Sequence, residues 1–139
     1  MDRTYTLLDH TADLRIRVTG SDPADLFAKA GLALFDLIAG PLPRSTEKWV
    51  PLTVSADDHA DLLVNFLREL LFLWTGADKL VTMVQVDAIS KTAVEARIGL
   101  VDYRPDVHVI AHEIKAVTYH QIEVNRTDAG WQAAIVFDI

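Results

Sequence analysis

The stretch from Leu62 to Trp74 limits what this chain can fold into more than any other part of the sequence. Its apolar residues recur at helical spacing and form a broad face: Leu62, Leu63, Phe66, Leu67, Leu70, Leu71 and Trp74. A surface helix has a narrower apolar stripe, so we expect this helix to lie between two layers of structure. It should begin near Asp57-Asp58 and end at Gly76, a residue type common just after a helix. Three polar residues interrupt the run, which therefore should not span a membrane.

A second helix is predicted from Pro23 to Gly40, with Asp22 as its N-cap. Most of the remaining chain favours strands, at 14–18, 50–55, 81–89, 93–101, 114–124 and 131–137, and the segment 5–8 has the pattern of a further short strand. Turn residues at 90–92 and 127–130 join the last four strands into two hairpins. The order β-α-β-α-β-β-β-β predicts an α+β fold with mostly antiparallel strands. At 139 residues, 1–139 should form a single domain.

The composition argues against several classes of protein. Twenty Asp and Glu residues against 13 Lys and Arg give a formal net charge of −7, opposite to what direct, strong nucleic-acid binding requires. The sequence has no Cys, which excludes disulfides and zinc–thiolate centres. The N-terminus does not resemble a signal peptide, so we expect a cytoplasmic protein with no membrane partner. Any part in RNA chemistry should be played through another protein.

The segment "DHTAD", residues 9–13, places two carboxylates and an imidazole at the start of a strand. One explanation is structural, because Asp and Thr side chains bond to nearby backbone groups and stabilise turns. The other explanation is functional, and it needs a partner for these groups elsewhere in the chain.

The C-terminal residues "IVFDI" offer such a partner. Asp138 continues one face of a predicted strand, either as an exposed acid at the edge of a sheet or as half of an acidic pair with the main-chain carboxylate of Ile139. If Asp13 approached these groups, three negative charges would need a proton, a basic partner or a cation. Oxygen ligands favour Ca²⁺ or Mg²⁺ over zinc or copper. Sequence spacing alone does not bring the two ends together.

Other candidates are weaker. His108 and His112 have the spacing of a helical zinc pair, but Pro105 and the flanking strands favour a long polar loop at 102–113. The stretch "KAVTYH", residues 115–120, has the pattern of a solvated strand face. The sequence contains neither a nucleophile elbow nor a glycine-rich phosphate loop, so no catalytic residue is predicted.

Five segments together resemble the archease family, in order and over essentially the whole chain: "DHTADLRIRVTG", "LALFDLI", "LLVNFLRELLFL", "EIKAVTYHQIEV" and "GWQAAIVFDI". Archeases are small accessory proteins that activate the tRNA-splicing RNA ligase, which joins 2′,3′-cyclic-phosphate or 3′-phosphate ends to 5′-hydroxyl ends. They promote guanylylation of the ligase and its repeated turnover, and some are linked to chaperoning an RNA methyltransferase. The resemblance implies a pair of helices packed between β layers, and an activator that is not itself an enzyme.

The resemblance also implies a metal site. Its ligands would be Asp13, Asp138 and the carboxylate of Ile139, holding calcium rather than magnesium. Asp9 and His10 match the same motif and would lie behind these ligands. Lys115 matches a family lysine without an assigned role. The chain departs from the family at Leu100 and in the loop "HVIAH", so contact with a partner through 100–113 is not carried over. A small metal-dependent hydrolase and a chaperone-like binding module for an RNA methyltransferase are the alternative functions.

Overall fold

The computed structural model describes residues 5–9 and 13–139. Within these ranges the chain forms seven strands and two helices: β1 (Tyr5–Asp9), β2 (Asp13–Gly20), α1 (Pro23–Ala39), β3 (Lys48–Ser55), α2 (His59–Ala77), β4 (Lys79–Ile89), β5 (Ala93–Asp102), β6 (Ala116–Thr127) and β7 (Gly130–Asp138). The observed order follows the predicted one, and the further short strand expected at 5–8 is present as β1. Its short length and its position at the edge of a sheet explain why the sequence signal for it is weak.

The strands form two antiparallel sheets. One sheet has four strands in the order β1-β2-β7-β6, and the other has three in the order β3-β5-β4. Both predicted hairpins are present, because β4 pairs with β5 and β6 pairs with β7. Every strand pair is antiparallel, which confirms the α+β fold with mostly antiparallel strands.

The two helices lie between the sheets, as the broad apolar face of α2 predicts. Helix α1 packs against β2 of the four-stranded sheet and β4 of the three-stranded sheet, and α2 packs against β6 and β4. Phe27 of α1 and Phe66 of α2 are fully buried, with ring centroids 5.6 Å apart. The described part of the chain contains no helix with both the length and the hydropathy to cross a lipid bilayer.

Side chains at the helix ends set the helix boundaries. Asp22 and Asp58 each accept a hydrogen bond of 2.8 Å from the backbone N–H three residues further on, and thereby cap α1 and α2. The expected end of α2 at Gly76 is wrong, because the helix continues to Ala77. Asp78 turns the chain with a φ of 55°, a left-handed conformation that Asp tolerates better than most residues.

The predicted loop at 102–113 is confirmed as an irregular segment joining β5 to β6, and it runs past the C-terminal ends of both helices. The Tyr103 N–H donates to the Asp78 carbonyl at 3.0 Å, and the Ala111 N–H donates to the Ile38 carbonyl at 2.7 Å. Leu100, where the sequence departs from the family, is a buried core residue of β5. Its apolar character is therefore explained by packing.

Candidate metal site

The register of β2 against β7 places Asp13 directly opposite Asp138. The register is fixed by three buried pairs on the core face: Leu14 with Phe137, Ile16 with Ile135, and Val18 with Ala133. A slip of one residue would turn all of these apolar side chains towards water. The hydrophobic core therefore determines that the two acids meet, although they are 125 positions apart in the chain. We call Asp13 and Asp138 the acidic pair.

Asp138 does not lie at a sheet edge. Strand β7 is an inner strand between β2 and β6, and Asp138 is the last residue of that strand. On its other side Asp138 faces Ala116, and its carbonyl accepts a hydrogen bond of 2.8 Å from the Lys115 N–H. Its side chain is exposed, as expected for a solvated acid. The expectation that Asp138 lies at the edge of a sheet is wrong.

The acidic pair lies on the outer face of the four-stranded sheet. Buried and more exposed residues alternate along β2, so Asp13, Arg15 and Arg17 share the face that points away from the helices. Residues directly opposite each other in an antiparallel ladder have Cβ atoms about 4.5–5.5 Å apart, so the two carboxylates repel each other. The sequence alone gave no reason for this proximity.

Among the described residues, the structure places one cation, Arg15, in an ion pair with Asp13. The Arg15 Nε is 3.7 Å from the Asp13 Oδ1, and the two side chains are 36% and 31% exposed. The distance is too long for a hydrogen bond, so the contact is an ion pair without good hydrogen-bond geometry. The sequence reasoning missed Arg15, although two residues separated by one position on a strand share a face.

The donor set fits a hard divalent cation. Two side-chain carboxylates at an exposed strand end supply oxygen ligands, and calcium completes its six to eight ligands with carbonyl groups and water. Among the side chains that the structure describes, no group of three or more His, Asp or Glu residues is arranged to hold a metal ion. The carboxylate of Ile139 would add a main-chain ligand to the acidic pair; Ile139 is 37% exposed.

The remaining motif residues lie nearby or outside the described ranges. Asp9 is the last residue of β1, and its backbone pairs with Arg15. His10 lies outside the described residues. Lys115 is exposed and directly precedes β6. The predictions for these three residues stay predictions.

The two loop histidines lack the helical spacing on which a zinc pair would depend. The segment around them is irregular, so His108 and His112 are not placed one helical turn apart. The Arg104 N–H donates to the His108 Nδ1 at 3.0 Å, and the His108 ring stacks on Tyr103. His108 therefore has a structural role in the loop.

The "KAVTYH" stretch also contacts the protein rather than only water. The Tyr119 hydroxyl donates to the Asn65 Oδ1 at 2.9 Å, and the Arg68 guanidinium lies 4.4 Å from the centroid of the Tyr119 ring. The Arg68 Nε donates to the Val117 carbonyl at 3.0 Å. Burial and the neighbouring Asp61 carboxylate raise the pKa of Tyr119. Arg68 and Tyr119 thus attach the start of β6 to α2.

Two open grooves lie elsewhere on the surface. One, of about 300 Å³, is formed by β3 and α2 and includes Ser55, Asn65 and Glu69. The other, of about 340 Å³, lies where β3, β4 and β5 meet and includes Lys48 and Lys79. Neither groove includes a residue of the acidic pair.

Comparisons with known proteins identify the family of this chain. Residues 5–139 match the model of the archease protein family (MTH1598/TM1083). The chain is 34% identical over 141 residues to protein archease of Methanosarcina mazei, covering 99% of this chain and 97% of that protein. It is 36% identical over 143 residues to protein archease of Methanosarcina acetivorans, with the same coverage.

Solved structures share the fold. The solution structure of protein 1598 from Methanobacterium thermoautotrophicum has a TM-score of 0.73 at 25% identity and covers 99% of this chain and 100% of that one. The crystal structure of an archease from Thermotoga maritima, described as a possible chaperone, has a TM-score of 0.64 and covers 96% of both chains. At 16% identity this second likeness shows the fold alone. With a family match over nearly its whole length, this chain belongs to the archease family.

Proposed function

We propose that this protein is an accessory protein that activates the tRNA-splicing RNA ligase. In this role it promotes ligase guanylylation and multiple turnover, and it depends on a bound divalent cation, calcium rather than magnesium. The observation that carries the proposal is the placement of Asp13 opposite Asp138 by a register that the hydrophobic core fixes. Two like charges facing each other at a strand end are unfavourable unless a cation joins them.

The exposure of the acidic pair favours docking over catalysis. An enzyme that activates water on a metal ion needs a cleft that holds the substrate beside the ion. Asp138 is exposed at the end of its strand, where a partner protein can reach it. A net charge of −7 also complements the basic surface that an RNA-binding partner carries.

Four residues would form the proposed cation site. Asp13 and Asp138 would hold the ion, together with the carboxylate of Ile139. A bound calcium ion would supply positive charge and open coordination positions for oxygen groups of the partner. Lys115, whose N–H donates to the Asp138 carbonyl, fixes the backbone behind one ligand.

Substitutions that remove one carboxylate charge at a time test the proposal. Asp13→Asn and Asp138→Asn keep the size of the side chain, and each should abolish multiple turnover of the purified ligase and lower the yield of guanylylated ligase. The matched control is Asp128→Asn, an exposed acid in the turn at the other end of the β6–β7 hairpin, which should activate like the wild type. Full activation by Asp13→Asn would contradict the metal-dependent part of the proposal.

The same proteins separate the alternatives. Calcium-dependent cleavage of RNA or of a nucleotide by the purified protein alone, lost in Asp13→Asn, would favour the small hydrolase. Stabilisation of an RNA methyltransferase by both wild type and Asp13→Asn, without any effect on the ligase, would favour the chaperone-like module.

A further inference from the structure

Arg15 lies beside the acidic pair, and the proposed function gives it no role. It lies on the same face of β2 as Asp13, with its Nε 3.7 Å from the Asp13 Oδ1. In the register of the sheet, Arg15 sits between Asp9 of β1 and Val136 of β7. The Arg15 side chain is only partly exposed, so the ion pair is less screened by water than a pair in full solvent.

We propose that Arg15 is an internal counter-ion of the acidic pair, which competes with a divalent cation for Asp13 and so weakens cation binding. This inference rests on the proposed function, because it assumes that the acidic pair binds a cation. In the cation-free protein, the guanidinium offsets the repulsion between the two carboxylates. Once a cation is bound, the same guanidinium lies close to a doubly charged ion and is repelled by it.

The geometry of the contact supports exchange rather than a permanent pair. A structural Arg–carboxylate pair forms two parallel hydrogen bonds, as Arg97 does with Asp87, where both distances are 3.1 Å. Arg15 approaches Asp13 through one nitrogen at 3.7 Å, outside hydrogen-bond distance. Arg15 therefore makes no hydrogen bond to the Asp13 oxygens, and its contact with them can be exchanged for a cation.

Arg17 provides a matched comparison on the same strand. It shares the outer face with Arg15 and is more exposed, and it lies two residues, about 7 Å, further along the strand. The structure gives Arg17 no ion pair with any residue in the described ranges. Arg15→Gln and Arg17→Gln change the net charge equally, but only Arg15→Gln removes the contact with Asp13.

Calorimetric titration of CaCl₂ into the purified full-length proteins tests the inference. Arg15→Gln should bind Ca²⁺ about tenfold more tightly than the wild type, while Arg17→Gln should stay within about twofold, since the repulsion falls with distance. Arg15→Lys, which keeps the charge, should remain near the wild type. Equal affinities for Arg15→Gln and Arg17→Gln would overturn the role of Arg15 and leave the proposed function standing. Absence of Ca²⁺ binding in all four proteins would overturn both.

Thermal unfolding gives an independent readout. In EDTA, Arg15→Gln should melt below Arg17→Gln, because the repulsion within the acidic pair loses its counter-ion. Saturating Ca²⁺ should raise the Tm of Arg15→Gln more than that of Arg17→Gln. An equal rise in both variants would overturn the inference.

Discussion

Two antiparallel ladders in this molecule end in pairs of charged residues that differ in their charge balance. In the four-stranded sheet, Asp13 and Asp138 are the last residues paired between β2 and β7. In the three-stranded sheet, Lys79 and Asp102 are the last residues paired between β4 and β5. One ladder thus ends in two like charges, and the other ends in an ion pair.

The ion pair at the second strand end belongs to a balanced network. The Arg104 Nη2 binds the Glu47 Oε2 at 2.7 Å, and the Asp102 N–H donates to the Glu47 Oε1 at 2.9 Å. Lys79 lowers the pKa of Asp102, and Arg104 lowers the pKa of Glu47. We call Glu47, Lys79, Asp102 and Arg104 the ion-pair network. Its two positive and two negative charges form two ion pairs, so the network has no net charge.

The acidic pair has no such balance. Arg15 is the cation that the described residues place beside it, and its contact is longer than those of the network. The ion-pair network needs no further partner, whereas the unbalanced acidic pair supports the proposal of a bound cation. The difference in charge balance is thus the physical reason for proposing a functional role at one strand end and a structural role at the other.

The largest expected effect concerns the carboxylate of Ile139. Adding one glycine after Ile139 replaces an anionic ligand by a neutral carbonyl, so Ca²⁺ affinity should fall about 100-fold, equivalent to ~2.7 kcal/mol. Isothermal titration calorimetry measures this directly. An N-terminal tag serves as the control and should leave the affinity unchanged. Unchanged affinity in the extended protein would remove Ile139 from the site and leave the acidic pair as its whole protein ligand set.

A second, smaller effect concerns the stability of the contact between α2 and β6. Arg68→Ala removes the hydrogen bond to the Val117 carbonyl and the contact with the Tyr119 ring, so the free energy of unfolding should fall by about 1–2 kcal/mol. Urea denaturation measures the loss, and Tyr119→Phe, which keeps the ring, should lose less. A loss of stability equal in both variants would show that the hydroxyl bond to Asn65 contributes as much as the contacts of Arg68.

The sequence predicted the fold more completely than the site. Periodicity located both helices because their apolar faces are continuous, and the capping aspartates marked where they begin. The end of α2 was misjudged because a residue other than glycine adopts the left-handed conformation there, which no local pattern announces. Side-chain alternation was likewise sufficient for six of the strands among the described residues.

From the residues alone, the approach of Asp13 to Asp138 could be considered but not predicted. Each half carries its own signal, in "DHTAD" and in "FDI", but sheet order and register are long-range properties. The core pairs that bring Asp13 to Asp138 join the two ends of the chain, and no local rule specifies that pairing. The resemblance to a family supplied the step that spacing could not.

The smallest expected effect tests whether the ion-pair network is purely structural. Glu47→Gln should lower the Tm slightly at pH 7 and leave Ca²⁺ affinity unchanged. Because Arg104 lowers the pKa of Glu47 in the folded protein, the unfolded chain binds a proton more readily, and the stabilisation is present above the ordinary Glu pKa. The difference in Tm between wild type and variant should therefore shrink as the pH falls from about 5 towards 3. It should also shrink in high salt, since these side chains are exposed. Scanning calorimetry at pH 7 and pH 3, with and without salt, measures both trends. A change in Ca²⁺ affinity in Glu47→Gln would mean that the two strand ends are coupled, and the division between a structural and a functional end would fail.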